Sequence, residues 1–356
     1  MRAAVLTGYR QPLEFQDNLP MPVAGPAEVV IRVEACGICR SDWHLWQEDW
    51  TWMGISVPLP RVQGHEFGGV VEEVGSQVRT LARGDRVTVP FHIACGHCDY
   101  CHTGRSNICY ALGFFGFHHN GGFGEYAALP NADVNAVRLP DKVDALSAAA
   151  LGCRFMTAYH GIVDQANVRP GEWVTVFGAG GVGLASVQIA SALGGRVIAV
   201  SRDARKLAQA RDEGARHTVE AGDRAVEQIK DLTGGGADVS VDAFGGSATI
   251  LPALSSLRKG GRHVQLGLTS KEDSGLVNLP IDAICAQELK VFGSIGCPTT
   301  SYAGMLSMIA AGQLNPSRLV TESVDAGEVT RVFNDMTEFK TRGFHVITSW
   351  NGKRTH

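Results

Sequence analysis

A buried strand that runs directly into closely spaced glycines constrains the fold of this chain more than any other feature. It reads Trp173-Val-Thr-Val-Phe-Gly178-Ala-Gly180-Gly-Val-Gly183 and continues into an apolar run rich in small residues. A strand, a G-x-G-x-x-G turn and a helix in that order are typical of a dinucleotide-binding unit. The free N–H groups at the start of such a helix favour a pyrophosphate. The sequence therefore predicts a doubly wound Rossmann domain.

The next strand bears on the choice of coenzyme. In NAD-specific versions this strand ends in Asp or Glu, which binds the ribose 2′-hydroxyl. Here Val200 is followed by Ser201 and Arg202, with Lys206 one turn further on. A hydroxyl and two cations suit a 2′-phosphate, since Arg presents a fork of donors to phosphate oxygens. The sequence favours NADP, while the nearby carboxylate of Asp203 leaves NAD open.

The flanking segments predict two different kinds of domain. Residues 1–89 alternate β-branched and polar positions between Gly and Pro turns, which is typical of a mostly β lobe. After the glycine motif, strand-like segments at 237–243, 262–268 and 289–294 alternate with helical ones. Alternating βα units favour a parallel sheet covered by helices on both faces.

Composition narrows the class of protein. A chain of 356 residues favours two domains, and a net charge of −4 provides no basic surface for nucleic acid. No apolar run reaches the length of a membrane span, and the N-terminus does not resemble a signal peptide. We therefore expect a cytoplasmic protein that binds neither nucleic acid nor membrane. Its nine cysteines are interpreted as metal ligands or reduced thiols.

Four of those cysteines form a local cluster, Cys95, Cys98, Cys101 and Cys109. Four thiolates at such short spacing suit a closed tetrahedral zinc site that holds a loop in place. An iron–sulfur cluster uses similar spacings and stays open at this point.

A second group of candidate ligands is scattered along the chain. Cys39, the adjacent pair His65 and Glu66, and Cys153 supply the thiolate, imidazole and carboxylate groups that zinc prefers. Cys153 lies in an Ala-rich stretch, 144–160, whose spacing predicts a helix. A catalytic zinc takes three protein ligands and keeps one position open, so this group predicts a reactive metal.

Tryptophan is concentrated between Cys39 and His65. Four of the six tryptophans fall there, Trp43, Trp46, Trp50 and Trp52. They form either a packed loop or subunit contact, or an apolar wall that admits a bulky substrate.

Taken together, these motifs closely resemble those of the zinc-containing medium-chain alcohol dehydrogenases. The resemblance spans nearly the whole chain and rests on the following segments: Gly37-Ile-Cys39-Arg-Ser-Asp, Gly64-His65-Glu66, the four-cysteine lobe, Gly121-Gly-Phe-Gly-Glu-Tyr, the region of Cys153 and the glycine motif. It implies a GroES-like β-rich catalytic domain, residues 1–155 and 293–356, and a Rossmann coenzyme domain, residues 156–292. It also implies a homodimer or homotetramer.

The resemblance assigns roles to individual residues. Cys39, His65 and Cys153 are implied as catalytic zinc ligands, with Glu66 as an alternating ligand or neighbouring carboxylate. Asp42 is implied to orient the ligating imidazole, and Ser41 and His44 to relay the alcohol proton. The resemblance implies coenzyme contacts at Arg40, Thr157 and Val182. The glycine motif and the strand after it add the further predicted contacts Gly178, Gly180, Gly181, Gly183, Ser201, Arg202 and Lys206. The resemblance implies that Phe91 lines the substrate pocket, and the aromatic segment adds Trp43, Trp50 and Trp52 as candidates.

The implied activity is reversible oxidation of a primary or secondary alcohol to an aldehyde or ketone, with two zinc ions per subunit and NADP or NAD. Family members that act on polyols generally carry Glu at the position of Cys153, so Cys favours simple, aromatic or hydrophobic alcohols. One alternative is a reductase that acts mainly on activated aldehydes or enones. A non-enzymatic alternative is a zinc-stabilised, NADPH-binding sensor.

Overall fold

The structure is a computed structural model that describes residues 1–352. The chain divides into two compact units. The first unit comprises Met1–Met156 and the residues from Gly296 onward, and the second comprises Thr157–Ile295. Within residues 1–352, none of the helices combines the length and the apolar character that crossing a membrane requires.

The described residues form short strands and helices. The strands are β1 (Ala3–Leu6), β2 (Glu14–Gln16), β3 (Val29–Ile38), β4 (Arg61–Val62), β5 (Glu66–Val74), β6 (Arg86–Thr88), β7 (His92–Ile93), β8 (Gly113–Phe114), β9 (Tyr126–Leu129), β10 (Val137–Arg138), β11 (Trp173–Phe177), β12 (Arg196–Ser201), β13 (His217–Glu220), β14 (Ala237–Asp242), β15 (Leu257–Gln265), β16 (Lys290–Gly293), β17 (Val320–Asp325) and β18 (Phe344–Ser349). The α-helices are α1 (Arg40–Trp46), α2 (Asp99–His102), α3 (Ala132–Asn135), α4 (Ala145–Ala150), α5 (Met156–Tyr159), α6 (Gly181–Ala192), α7 (Ala204–Asp212), α8 (Ala225–Thr233), α9 (Ser247–Ser255), α10 (Ile281–Ala286), α11 (Tyr302–Ala310) and α12 (Val329–Thr337).

The first unit is built around the long strand β3. One edge of β3 pairs with β5 in antiparallel fashion, and the other edge pairs with β9 and with β18. The sheet runs β10-β6-β5-β3-β18-β17, so its last two strands come from the C-terminal part of the chain. Aromatic and β-branched residues such as Ile31, Phe67, Phe123 and Phe333 fill its core. Because β3 and β5 are neighbours, the residues at the end of β3 and the start of β5 come together.

The second unit is a six-stranded sheet in the order β13-β12-β11-β14-β15-β16, and all its neighbouring strands are parallel. In chain order this is 3-2-1-4-5-6, the arrangement of a doubly wound dinucleotide-binding fold. Strand β14 is buried along its whole length, as expected for a parallel strand covered on both faces.

The glycine turn joins β11 to α6 as the motif predicts. Gly178 has a φ of +92°, a left-handed conformation that favours glycine at this turn. Gly183 lies in the first turn of α6, where an added Cβ would lie 1.7 Å from the carbonyl oxygen of Gly178. Only a residue without a side chain allows this close contact between helix and turn.

The Ala-rich stretch around Cys153 is not the continuous helix that its spacing predicts. Helix α4 ends at Ala150, and Gly152 leaves the helical region with a ψ of −157°. Wider, π-type turns follow over Leu151–Phe155 and His160–Gln165. The kink lies directly before Cys153. Glycine is required there because an added Cβ on Gly152 would lie 2.4 Å from the Cβ of Glu66.

We expect Gly183→Ala to lower the unfolding free energy of the second unit by about 1–3 kcal/mol, because the new methyl group overpacks the turn. Differential scanning calorimetry measures the effect. The matched control is Gly293→Ala, whose added Cβ would have no atom within 4 Å. That change should cost less than about 0.5 kcal/mol. Equal losses in both variants would contradict the packing role of Gly183.

Candidate metal centres and active site

The fold of the first unit brings four dispersed side chains together. Cys39, His65, Glu66 and Cys153 each offer a ligand atom, and these atoms all lie within 4.8 Å of one another. Cys39 follows the end of β3 and caps the N-terminus of α1, while His65 precedes β5. Cys153 follows the kink at Gly152. Pairing of β3 with β5 and the kink therefore create this group, which no short sequence window contains.

Asp42 fixes the orientation of this group from within α1. One of its carboxylate oxygens lies 2.9 Å from Nδ1 of His65, and the other accepts the backbone N–H of Cys39 at 2.9 Å. Because a carboxylate only accepts here, the proton of His65 lies on Nδ1. The opposite nitrogen, Nε2, is buried and has no hydrogen-bond partner among the described residues. A lone pair is thus left facing the two thiols.

The thiols have the chemistry of metal ligands. The pKa of Cys39 lies well below its ordinary value, because a hydrogen bond from the thiol of Cys153 and the nearby positive charge of Arg154 favour the thiolate despite burial. A thiolate is the form that binds a metal. Two sulfurs and an unpartnered imidazole nitrogen in a buried group fit a three-ligand zinc site.

Glu66 has a partner that the sequence motifs did not indicate. Its carboxylate accepts bonds from the backbone N–H of Arg154 at 3.0 Å and from Nε at 3.0 and 3.1 Å, and a further bond from Nη2. Both side chains are buried. The only sequence signal for this contact is that Arg154 adjoins Cys153, which does not reveal where the guanidinium goes.

The four-cysteine cluster forms a separate local centre. The sulfur of Cys101 lies 4.0 Å from that of Cys95 and 3.5 Å from that of Cys98, and Cys98 lies 3.8 Å from Cys109. Four sulfurs about 2.3 Å from one zinc ion would be about 3.8 Å apart. Backbone N–H groups of Tyr110 and Cys101 lower the pKa of Cys98 to about 6. The spacing fits one tetrahedral ion, whereas an iron–sulfur cluster would hold its thiolates on separate irons.

The two residues implied in proton transfer lie on α1. The hydroxyl of Ser41 lies 3.8 Å from the sulfur of Cys39. Nδ1 of His44 lies 2.6 Å from a carboxylate oxygen of Asp49, and its ring stacks on Trp50 at 4.6 Å. Burial lowers the pKa of His44, although Asp49 opposes this effect. Asp49 is a contact that the sequence motifs did not indicate.

A series of ring contacts connects His65 to His44. Phe91 meets His65 edge-on at 6.1 Å and stacks on Phe114 at 5.8 Å. Phe117 then contacts Phe114 at 5.7 Å and stacks on Trp50 at 6.4 Å, and Trp50 in turn contacts His44. Phe91 and Trp50 were expected from the sequence. The other two were not, although the run Phe114-Phe115-Gly-Phe117 was a visible signal.

The other tryptophans differ in their surroundings. Trp46 is a core residue that packs on Phe333 and donates to the carbonyl of Gln11. Trp43 donates to Thr337 at 2.8 Å, and Trp52 lies half-buried in the short helix Thr51–Met53. The aromatic segment is therefore partly structural.

Arg40 is held within the first unit. Its guanidinium lies 3.7 Å from the ring centroid of Trp43 and 4.9 Å from that of Phe339, and it donates to the carbonyl of Met336 near the end of α12. Burial lowers the pKa of Arg40 to about 10.

The remaining residues implied in coenzyme binding lie in the second unit. They are Thr157, Gly178, Gly180, Gly181, Val182, Gly183, Ser201, Arg202 and Lys206. Gly180 caps the N-terminus of α6, and Ser201 ends β12. Arg202 is exposed. Asp203 caps α7 by accepting the backbone N–H of Arg205 at 2.9 Å, and its carboxylate also pairs with that guanidinium at 3.2 Å.

Comparison with known proteins agrees with this architecture. The alcohol dehydrogenase GroES-like domain matches residues 25–141, and the zinc-binding dehydrogenase domain matches residues 181–311. An alcohol dehydrogenase of Geobacillus stearothermophilus is 34% identical over 98% of this chain and 99% of its own length. A D-xylulose reductase A of Aspergillus niger is 35% identical over 93% of this chain and 92% of its own. The solved alcohol dehydrogenase TADH from Thermus sp. ATN1 superposes with a TM-score of 0.89 at 30% identity, covering 98% of this chain and all of that one.

The fold and the similarities define an alcohol- and carbonyl-converting oxidoreductase. The chain belongs to the zinc-containing medium-chain alcohol dehydrogenase family. The prediction of a GroES-like domain joined to a Rossmann domain is confirmed.

We expect the purified protein to bind two zinc ions per chain, one for each ligand group. Cys39→Ser should lose one equivalent and Cys98→Ser the other, because each removes a thiolate from only one group. Elemental analysis after gel filtration measures the stoichiometry. A chelator should remove the ion at Cys39 first, since that site has an open position. Loss of both ions from either variant would contradict two independent centres.

Proposed function

We propose that the protein interconverts primary or secondary alcohols and their aldehydes or ketones, at a zinc ion held by Cys39, His65 and Cys153. The observation that carries the proposal is the imidazole of His65. Its Nδ1 is fixed by Asp42, and its buried Nε2 lacks any other partner in the described chain beside two thiols. When bound there, zinc supplies a Lewis acid that lowers the pKa of an alcohol hydroxyl.

Two residues of the chain, Ser41 and His44, are proposed to take part in the transfer of the proton. Ser41 provides a hydroxyl next to Cys39, as short transfer steps require. Because Asp49 accepts from Nδ1 of His44, the lone pair lies on Nε2, which is the atom that takes up the proton. The lowered pKa of His44 keeps the imidazole neutral and able to accept at neutral pH. A bound nicotinamide coenzyme would supply the hydride acceptor.

Two features of the site bear on the substrate. The ring contacts among Phe91, Phe114, Phe117 and Trp50 support a hydrophobic or aromatic alcohol, because such side chains bind apolar groups. The similarity to a D-xylulose reductase supports a polyol as a second candidate. Cys153 favours the first, since family members that act on polyols generally carry Glu at this position. Relative rates on graded alcohols, a polyol and activated aldehydes distinguish these candidates.

The surroundings of Asp203 support NADP as the coenzyme. Its carboxylate caps α7 and pairs with Arg205, so it is engaged within the protein and poorly available to a ribose hydroxyl. Ser201 and the exposed Arg202 provide a hydroxyl and a cation for a 2′-phosphate. Gly180, at the start of α6, would approach the pyrophosphate. A cytoplasmic homodimer or homotetramer stays part of the proposal.

We expect the wild-type protein to reduce coenzyme in an alcohol-dependent way, and His65→Ala to lower kcat/KM by about a thousandfold or more, since it removes a metal ligand. NADPH binding, measured by nicotinamide fluorescence, should change less than about twofold, because no coenzyme contact is removed. His97→Ala, which alters an exposed imidazole of the four-cysteine lobe, is the control. Retained activity with lost coenzyme binding would contradict the assignment. Coenzyme binding without any turnover in the wild type would favour a sensor.

We expect Arg202→Ala to weaken NADP⁺ binding about tenfold or more, the effect of losing one charge-assisted hydrogen bond. NAD⁺ lacks the 2′-phosphate and should be affected little. Calorimetric titration with each coenzyme provides the measurement. The control is Arg211→Ala, which removes an arginine that bonds Thr218 from the last turn of α7. Equal effects of Arg202→Ala on both coenzymes would remove the case for a 2′-phosphate site.

A further inference from the structure

Among the arginine–carboxylate pairs of the first unit for which the structure gives geometry, that between Arg154 and Glu66 is the most completely buried. The side chain of Glu66 is 1% exposed and that of Arg154 is 7% exposed. Both carboxylate oxygens are engaged, one by the backbone N–H and Nε of Arg154, the other by Nε and Nη2. A carboxylate bonded in this way has its lone pairs directed at the guanidinium.

The surrounding residues leave this pair little room to move. An added Cβ on Gly37, in β3, would lie 2.3 Å from a Glu66 oxygen and 3.1 Å from Nη2 of Arg154. The ring of Phe344, in β18, lies 3.8 Å from the guanidinium carbon. The backbone of Arg154 is itself fixed next to Cys153. The pair is therefore enclosed by two strands and by the segment that carries a proposed metal ligand.

The charges of the group explain why a buried cation is needed. Deprotonated Cys39 and Cys153 together with Glu66 carry three negative charges, and a divalent ion supplies only two positive ones. Uncompensated charge in a protein interior is strongly unfavourable. Arg154 supplies the missing positive charge. With His65 neutral, the ligands, the ion and Arg154 balance, and the buried carboxylate of Asp42 behind His65 adds one further negative charge.

We infer that Arg154 is a positioning residue that holds Glu66 off the metal, so that the ion has three protein ligands and an open position. The inference rests on the proposed metal site at Cys39, His65 and Cys153. In the alternative arrangement, the carboxylate of Glu66 would bind the metal and compete with substrate for it. Removal of the guanidinium would free the carboxylate, which lies close enough to the other ligand atoms to bind the same ion.

Cobalt(II) exchanged into the site provides the test, because its visible absorption reports the coordination number and does not depend on turnover. A matched preparation of His65→Ala isolates the signal of this site from that of the four-cysteine lobe. In Arg154→Gln the carboxylate would take the open position in place of water, so we expect the bands of the four-coordinate ion to shift and to lose their response to added azide, an anion that binds at an open position. We also expect release of the ion to a chelator to slow by about tenfold, the scale of effects seen when residues around a metal site are altered.

The double variant Arg154→Gln/Glu66→Gln shows whether the effect passes through the carboxylate. We expect it to restore the wild-type spectrum and release rate, because an amide is a poor ligand and carries no charge. Arg2→Gln is the matched control, as it breaks an Arg–Glu pair with Glu125 in the same unit. An unchanged spectrum in Arg154→Gln would overturn the inference, and so would the same change in the single and the double variants.

Arg154→Lys keeps the experiment decisive if the glutamine variant does not fold. Lysine retains the charge but lacks the fork of donors that engages both oxygens. We expect a spectral change in the same direction and of smaller size, and no change would overturn the inference. Failure of the proposed function gives a different result. The wild-type protein would then show no cobalt signal that disappears in His65→Ala.

Discussion

The carboxylate of Asp42 is the interaction on which the proposed active site depends. It accepts the backbone N–H of Cys39 at one oxygen and contacts Nδ1 of His65 at the other, while Gly64 also donates to it. One side chain thereby ties the start of α1 to the start of β5 and sets the tautomer of the imidazole. Such contacts behind a metal ligand fix both its direction and its basicity. Asp42 is fully buried, so the arrangement is shielded from water.

The four candidate ligands are surrounded by buried charged residues and by aromatic rings. Buried charges lie on the side of Glu66 and Arg154, where every carboxylate oxygen has a donor. Rings lie on the side of Phe91, in contact with His65 and with further aromatic residues. Charge compensation and aromatic packing around the ligand group are thus provided by different residues.

Much of this was accessible from the sequence, and the limits have physical causes. The glycine motif predicts strand, turn and helix because local sterics require its glycines. Gly183, for example, packs too close to the carbonyl oxygen of Gly178 for a side chain. The four clustered cysteines predict their own centre because they are near neighbours in the chain. Arg154 gave no such signal, since its partner lies 88 residues away and is reached only through pairing of β3 with β5. The helix predicted around Cys153 was broken because Gly152 must pass close to Glu66.

The sheet of the first unit has a consequence for how the protein is made. Strand β3 leads directly into Cys39, and one of its edges is completed by β18, where Gly37 pairs with Val346. A ribosome therefore releases the partner of that edge only after the whole second unit has been synthesised. Until then the end of β3 exposes unpaired backbone groups, which are prone to join other chains. The nascent protein therefore carries an unpaired strand edge directly beside Cys39 until β18 has been made.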